Sequence, residues 1–326
     1  MSKTDWQPDA TIETIKIRAR MLQNIRAFFT RYNALEVETP ILSKSTITDP
    51  HLHSFKTGYL NHHYYLHTSP EFFMKRLLAA GSGDIYQICK VFRDDEQGQN
   101  HNPEFTMLEW YRVGFDQQQL MDEIEKLFKT LLKKLDTELS WQSVKRISYQ
   151  QVFIDVLGID PLETGVVELK SVTEKNNIEI PIGMDADDRD MWLDWLMTQA
   201  IAPSLDKKQF TFLYDYPASQ AALAKLNSAD PRVAHRFEVY YGELELANGF
   251  NELTNAAEQR RRFEEENKKR QQLGLDIIPV DENLLSALEQ GIPECSGVAV
   301  GLDRLLMVLL GIERIEDVLS FGVRKV

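Results

Sequence analysis

Between residues 12 and 32 apolar side chains recur as Ile12, Ile15, Ile17, Met21, Leu22, Ile25, Phe28 and Phe29. That mostly helical spacing on a basic segment predicts an amphipathic helix. Leu35-Glu36-Val37-Glu38-Thr39-Pro40-Ile41-Leu42 then alternates and stops at a proline, which predicts a short strand. Tyr64-Tyr65-Leu66-His67 reads as another strand. In Ser69-Pro70-Glu71 a capping residue, a first-turn proline and an early acid predict the opening of a helix over Phe72–Ala80. Ile85–Phe92 and Phe105–Tyr111 are strand-like and flank a short polar loop, so they are predicted to pair as a hairpin. Leu120, Ile124, Leu127, Phe128, Leu131 and Leu135 fall on one face of a further helix.

From about 136 to 209 the pattern weakens around Trp141, a Pro161 turn and the acidic stretch Asp185–Asp190, and an insertion of helices and loops is expected. Strand signals return at Phe210–Asp215 and Arg236–Leu246, residues 256–273 predict a highly charged helix, and 302–310 an apolar one. Strands and helices do not alternate regularly. The expected fold class is therefore α+β, an antiparallel sheet flanked by helices, rather than a doubly wound fold. One catalytic-type domain over residues 1–326, interrupted by the insertion, is the expected organisation.

Composition adds exclusions. A chain of 326 residues, 43% hydrophobic and 27% charged, is an ordinary globular protein. A net charge of −13 speaks against coating a nucleic acid, which needs clustered Lys and Arg. Cys89 and Cys295 lie far apart without metal-ligand spacing and read as reduced thiols. The N-terminus carries no apolar signal core and no run is long enough to span a bilayer, so the expected location is the cytoplasm.

Candidate chemistry gathers at Val91-Phe92-Arg93-Asp94-Asp95-Glu96 and His101-Asn102-Pro103-Glu104-Phe105, on two segments joined by a polar loop. A nucleoside triphosphate needs that mixture: a fixed cation for phosphate, polar groups for a base edge and a flat apolar face. The bland alternative is a charged hairpin tip. Arg304, at the start of the apolar run Leu302–Leu310, must be paired or bind an anion, because burying a lone guanidinium costs several kcal/mol. Pairing with Asp303 or Glu313 is its structural alternative. Glu238, Glu245 and Glu252 recur every seven residues. Odd spacing puts successive acids on opposite strand faces, so they share a pocket only if the chain bends, and Asn248-Gly249 offers a turn. The alternative is a solvated strand face. No phosphate-binding glycine loop or kinase motif set is present, Gly81-Ser82-Gly83 lacks the third glycine of a dinucleotide fingerprint, and His51, His53, His62 and His63 read as surface residues.

These segments together resemble a class II aminoacyl-tRNA synthetase catalytic domain, most closely the lysyl type, over nearly the whole chain. Phe28-Phe29 through Glu38-Thr39-Pro40 is similar to motif 1, Phe92-Arg93 through Glu104-Phe105 to motif 2, and Gly301-Leu302-Asp303-Arg304 to motif 3. Ser69-Pro70-Glu71, His101–Thr106 and Asn248-Gly249-Phe250 resemble lysyl-type signatures. Three departures stand out. The chain begins almost directly at motif 1, so the N-terminal OB-fold that reads an anticodon in the lysyl type is expected to be absent. Arg93-Asp94-Asp95 replaces the Arg-x-Glu of motif 2, and Ala299 stands where lysyl enzymes carry glycine. A truncated lysyl-like chain of this kind resembles the ligases that join β-lysine to elongation factor P.

The resemblance implies ATP-dependent formation of an aminoacyl adenylate, here of (R)-β-lysine, followed by transfer to the ε-amine of a lysine on elongation factor P. It implies Arg93 at the α-phosphate and Arg304 at the γ-phosphate. Phe105 would stack on adenine, with Asp94, Asp95, Asn102, Leu246 and Gly301 also at the nucleotide. Glu238 and Glu245 would hold Mg²⁺, with Glu245 also at ATP. Ser69, Pro70, Glu71, Tyr111, Glu252 and Ala299 would surround the amino acid. It further implies a homodimer through motif 1, with no stable tRNA binding expected. A minimal lysyl-tRNA synthetase, an amino acid:ammonia ligase and an inactive paralogue acting as a regulatory binding module are the alternatives.

Overall fold

Thr11 accepts a hydrogen bond from the Thr14 amide and opens the helix Ile12–Arg31, on the span that the apolar stripe predicts. The computed structural model describes residues 6–94, 96–135, 137, 139, 143–181, 183–185 and 187–326. The chain divides into two compact units, Met1–Trp141 with Thr254–Val326, and Gln142–Leu253. Among the described residues no helix is long and apolar enough to cross a membrane.

In the first unit Ile85–Phe92 and Glu104–Val113 form the expected antiparallel hairpin, from Ile85 opposite Tyr111 to Phe92 opposite Glu104. Leu35–Glu36 pairs parallel with the first of these strands, and Cys295–Gly301 antiparallel with the second. The single strand expected at 35–42 is instead two short ones. Leu42–Ser43 belongs to a separate three-stranded sheet with Lys56–Tyr59 and His62–Leu66, because Pro40 has no amide to extend the first ladder. One face of the main sheet packs on the first helix, where the Phe29 ring stacks on Tyr86 at 4.4 Å and meets the edge of Trp110 at 5.3 Å. The helix Gln117–Leu135 buries Leu120, Ile124, Leu127, Phe128, Leu131 and Leu135, the predicted stripe. Its Glu123 reaches back to accept from Trp110 Nε1 at 2.9 Å and from buried Arg112. The helix predicted from Phe72 begins at Glu71, with Pro70 at the cap position and Ser69 Oγ accepting from the Glu71 amide. Ala256–Gln272 and Leu302–Leu310 are the predicted charged and apolar helices.

In the second unit Lys145–Ser148 runs parallel to Phe210–Pro217, which pairs antiparallel with Val233–Tyr241, itself antiparallel to Leu244–Asn251. Tyr149–Leu157, Val166–Lys175 and Arg189–Leu196 supply the helices, and their Phe153, Leu169, Trp192 and Leu193 bury against Leu213 and Tyr216. Each unit is thus a mostly antiparallel sheet flanked by helices. The bend expected at Asn248-Gly249 lies elsewhere. Gly242, at φ 56°, turns the chain between the last two strands, while Asn248 and Gly249 sit within a strand opposite Glu238 and Phe237. Gly249 is there for clearance, since a Cβ would lie 2.4 Å from the Phe237 ring.

Two stability outcomes follow. Gly249→Ala is expected to destabilise by about 1–3 kcal/mol in chemical denaturation, as overpacking against fully buried Phe237 does; an unchanged midpoint would show that the ring yields freely. Glu266, which accepts from Thr48 Oγ1, has its carboxyl pushed up to about 7, first by burial and then by Asp49. The folded state therefore holds this proton more tightly than the unfolded chain. Its contribution erodes stability as pH climbs from the ordinary 4.5 through about 7. Relative to wild type, Glu266→Gln should gain stability on going from about pH 5 to about pH 8. Parallel pH profiles would refute this.

Candidate active site

The tip of the first unit's hairpin brings together the residues that the sequence singles out. Arg93 donates its amide to Pro103 O at 2.9 Å, which closes the loop on itself. Its guanidinium lies over the Phe105 ring at 5.1 Å and donates to Glu96 at 3.3 Å. Arg93 Nε is buried with no hydrogen-bond partner among the described residues. Arg304 arrives from the start of the apolar helix. It donates Nε to Asn100 O at 3.1 Å, with Nη2 2.6 Å from His101 Nε2. A guanidinium has no lone pair to offer, so His101 Nε2 is the acceptor and the imidazole is neutral. Burial first, and then Arg304, hold the His101 pKa below its ordinary value. Two guanidinium groups and an aromatic face thus converge on one loop, a combination suited to a polyanion carrying a planar ring.

Other predicted nucleotide residues are placed less directly. The Asn102 side chain is engaged by the protein, accepting from the Val323 amide at 3.0 Å and donating to Glu104 O at 2.6 Å. Asp94 is exposed, with its amide bonded to His53 O, and Asp95 lies outside the described residues. Gly301 ends a strand opposite Met107 and caps the helix bearing Arg304. A cavity of about 750 Å³ lined by Arg18, Lys90, Glu104 and Thr106 opens on the other side of the hairpin from Phe105, since alternate residues face opposite ways.

The sheet face that carries Phe105 also carries Glu109 and Tyr111. Glu109 stands directly between Gln87 and Ala299, and Tyr111 between Ile85 and Gly297. Tyr111 donates to Glu109 at 2.7 Å, and Glu109 is 3% exposed. Glu71 accepts from Lys75 at 2.6 Å, and Lys75 is 1% exposed. Neither Glu109 nor Lys75 is among the predicted site residues. The available signal was a charge set inside an apolar run, at Met107-Leu108-Glu109-Trp110 and one turn after Glu71.

In the second unit Glu238 and Glu245 come to one face of the hairpin, because Glu245 stands opposite Tyr240, two residues on from Glu238. Glu238 is heavily engaged. Oε1 accepts from Arg236 at 2.5 Å, and Oε2 from Tyr216 at 2.6 Å and Tyr240 at 2.7 Å. Arg236 also stacks 4.6 Å over the Tyr216 ring and donates to Gln220 O. Burial and then Glu238 raise both phenols well above their usual range, so they stay protonated as donors. Leu246 is buried at the bulge beside Glu245, and Glu252 is 1% exposed with its backbone bridged to Ala224. No cluster of three or more His, Cys, Asp or Glu suited to a metal occurs among the described residues. Mg²⁺ draws most of its ligands from water and phosphate and needs only one or two carboxylates, but Glu238 already accepts from three donors.

The chain is 51% identical to the elongation factor P–(R)-β-lysine ligase of Vibrio cholerae serotype O1, across 98% of both chains. It is 47% identical to the proteins of that name from Pectobacterium atrosepticum and Salmonella typhi, again over 98–99% of each chain. Residues 4–325 match the family model described as tRNA synthetases class II (D, K and N). The chain belongs to the class II tRNA synthetases of the D, K and N group.

Proposed function

We propose that this chain is an ATP-dependent ligase that activates (R)-β-lysine as its adenylate and passes the acyl group to the ε-amine of a lysine on elongation factor P. The convergence of Arg93, Phe105 and Arg304 on one loop carries this reading, joined to near-full-length similarity to ligases of that name. In the first step an amino-acid carboxylate oxygen attacks the α-phosphorus, and the bond from that phosphorus to the bridging oxygen breaks to release pyrophosphate. In the second step an uncharged lysine amine attacks the acyl carbon, AMP leaves with the bond's electrons, and the amine proton passes to solvent. No side chain becomes covalently attached.

The protein's own part is placement and charge stabilisation. Arg93 takes the α-phosphate, with its unsatisfied Nε one donor toward it. Arg304 takes the γ-phosphate and Phe105 the adenine ring. Glu71, Glu109 and Tyr111, with Ser69, receive the amino acid, their carboxylates facing its ammonium groups. Mg²⁺, when bound, screens the phosphate charge. Glu245 would be the carboxylate to hold it, and Glu238, already accepting from three donors, shapes that face of the hairpin. Exposed Leu35, Ile41 and Leu42 support a homodimer through this segment.

Arg93→Ala and Arg304→Ala should each lower amino-acid-dependent pyrophosphate exchange on the order of a hundredfold or more. Near-normal exchange in both would sink the adenylate reading. Ala299 stands beside Glu109 on the neighbouring strand, so its methyl crowds the place where an ammonium group would meet that acid. Ala299→Gly is therefore expected to shift kcat/KM toward α-lysine by about tenfold to two-hundredfold. An unchanged selectivity ratio would remove Ala299 from substrate choice.

A further inference from the structure

Asp303 precedes Arg304 and Thr106 follows Phe105, and the two are joined by an arginine from far away in sequence. Arg18, on the helix Ile12–Arg31, donates Nη1 to Asp303 Oδ1 at 2.6 Å and Nη2 to Thr106 Oγ1 at 2.6 Å. The Thr106 amide donates to the other Asp303 oxygen, also at 2.6 Å. The three residues close a ring of bonds around a carboxylate that is 1% exposed. The Arg18 side chain is only 15% exposed. Removing Arg18 or Asp303 strands the charge of the other, so the ring holds its geometry stiffly.

We propose that Arg18 is a positioning residue for the nucleotide: it never touches ATP but fixes Arg304 and Phe105 relative to each other, and so sets ATP affinity. This rests on the nucleotide reading of Phe105 and Arg304. The ring acts on the backbone. Asp303 lies in the first turn of the helix Leu302–Leu310, so bonds to its carboxylate set where that turn stands against the strand Glu104–Val113. A shift there moves the Arg304 guanidinium and the Phe105 ring apart by the same amount. Glu109 and Tyr111 lie further along the strand, held by their own cross-strand partners, so amino-acid binding should feel Arg18 less.

The test compares wild type, Arg18→Gln and Arg18→Lys in pyrophosphate exchange, varying ATP and the amino acid separately and recording denaturation midpoints on the same samples. Arg18→Gln should raise the KM for ATP about tenfold to a hundredfold, the usual cost of a small misplacement made away from the chemistry. Its KM for the amino acid should stay close to wild type. Arg18→Lys keeps the charge at Asp303 but loses the planar fork, and should recover part of the loss. Asp303→Asn combined with Arg18→Gln should do less harm than the two single effects multiplied. Should Arg18→Gln fail to fold, Thr106→Val removes one acceptor of the ring and should give a smaller rise in the KM for ATP. An unchanged KM for ATP in an active variant overturns the proposal, as does an equal loss for both substrates that follows the midpoints. Absence of exchange in the wild type would instead sink the nucleotide reading itself.

Discussion

The register between Ile85–Phe92 and Glu104–Val113 is the constraint on which the first unit depends. Strand side chains alternate, so a one-residue slip of the second strand would turn Glu109 into the aromatic core and bring Trp110 out to the opposite face. Two interactions prevent it. The Phe29 ring packs on both Tyr86 and Trp110, which stand opposite each other on that face. Arg112, on the same face as Trp110, bonds to Glu123 through Nε and Nη2, and through Nη1 to Asp84 at 3.0 Å and Tyr32 O at 3.1 Å. A buried ion pair of this sort adds little net stability, because desolvation offsets the attraction. Its effect is selective: a slipped hairpin would leave Glu123 and Arg112 buried and unmatched.

The second unit solves a related problem around Glu238. A buried carboxylate stays charged only if its lost hydration is replaced. Arg236 supplies the opposite charge, and Tyr216 and Tyr240 supply neutral donors whose own protons are held by the same burial. Three donors leave the acid poorly placed for a further strong ligand.

Elements with a clean period were legible in the sequence: the stripes at 12–31 and 120–135, the hairpin around Arg93 and the last apolar helix. The failures have physical causes. Asn-Gly usually marks a turn, but Gly249 serves as clearance beneath Phe237, and the turn falls at Gly242 inside an alternating run that reads as one strand. Cys295–Gly301 passed unnoticed because its small residues carry little strand signal, although it places Ala299 next to Glu109. Of the candidate site, the setting of the motif arginines and Phe105 in the sequence is what singles them out. Glu109 and Lys75 do not stand out there, because what distinguishes them is burial, which local sequence does not report.

Sequence proximity also misleads about charge. Asp303 adjoins Arg304, and a reader of the sequence would let the two cancel. The fold instead brings Arg18 from the first helix to satisfy Asp303, and turns Arg304 toward a carbonyl and a neutral imidazole. A carboxylate partner would have to be displaced before Arg304 could take an anion, at the cost of stranding that acid. A carbonyl and a neutral imidazole are acceptors that an anion displaces far more cheaply. The acid beside the motif arginine thus serves to anchor a helix turn rather than to neutralise its neighbour. A helix at the other end of the chain is thereby built into the geometry of the candidate site.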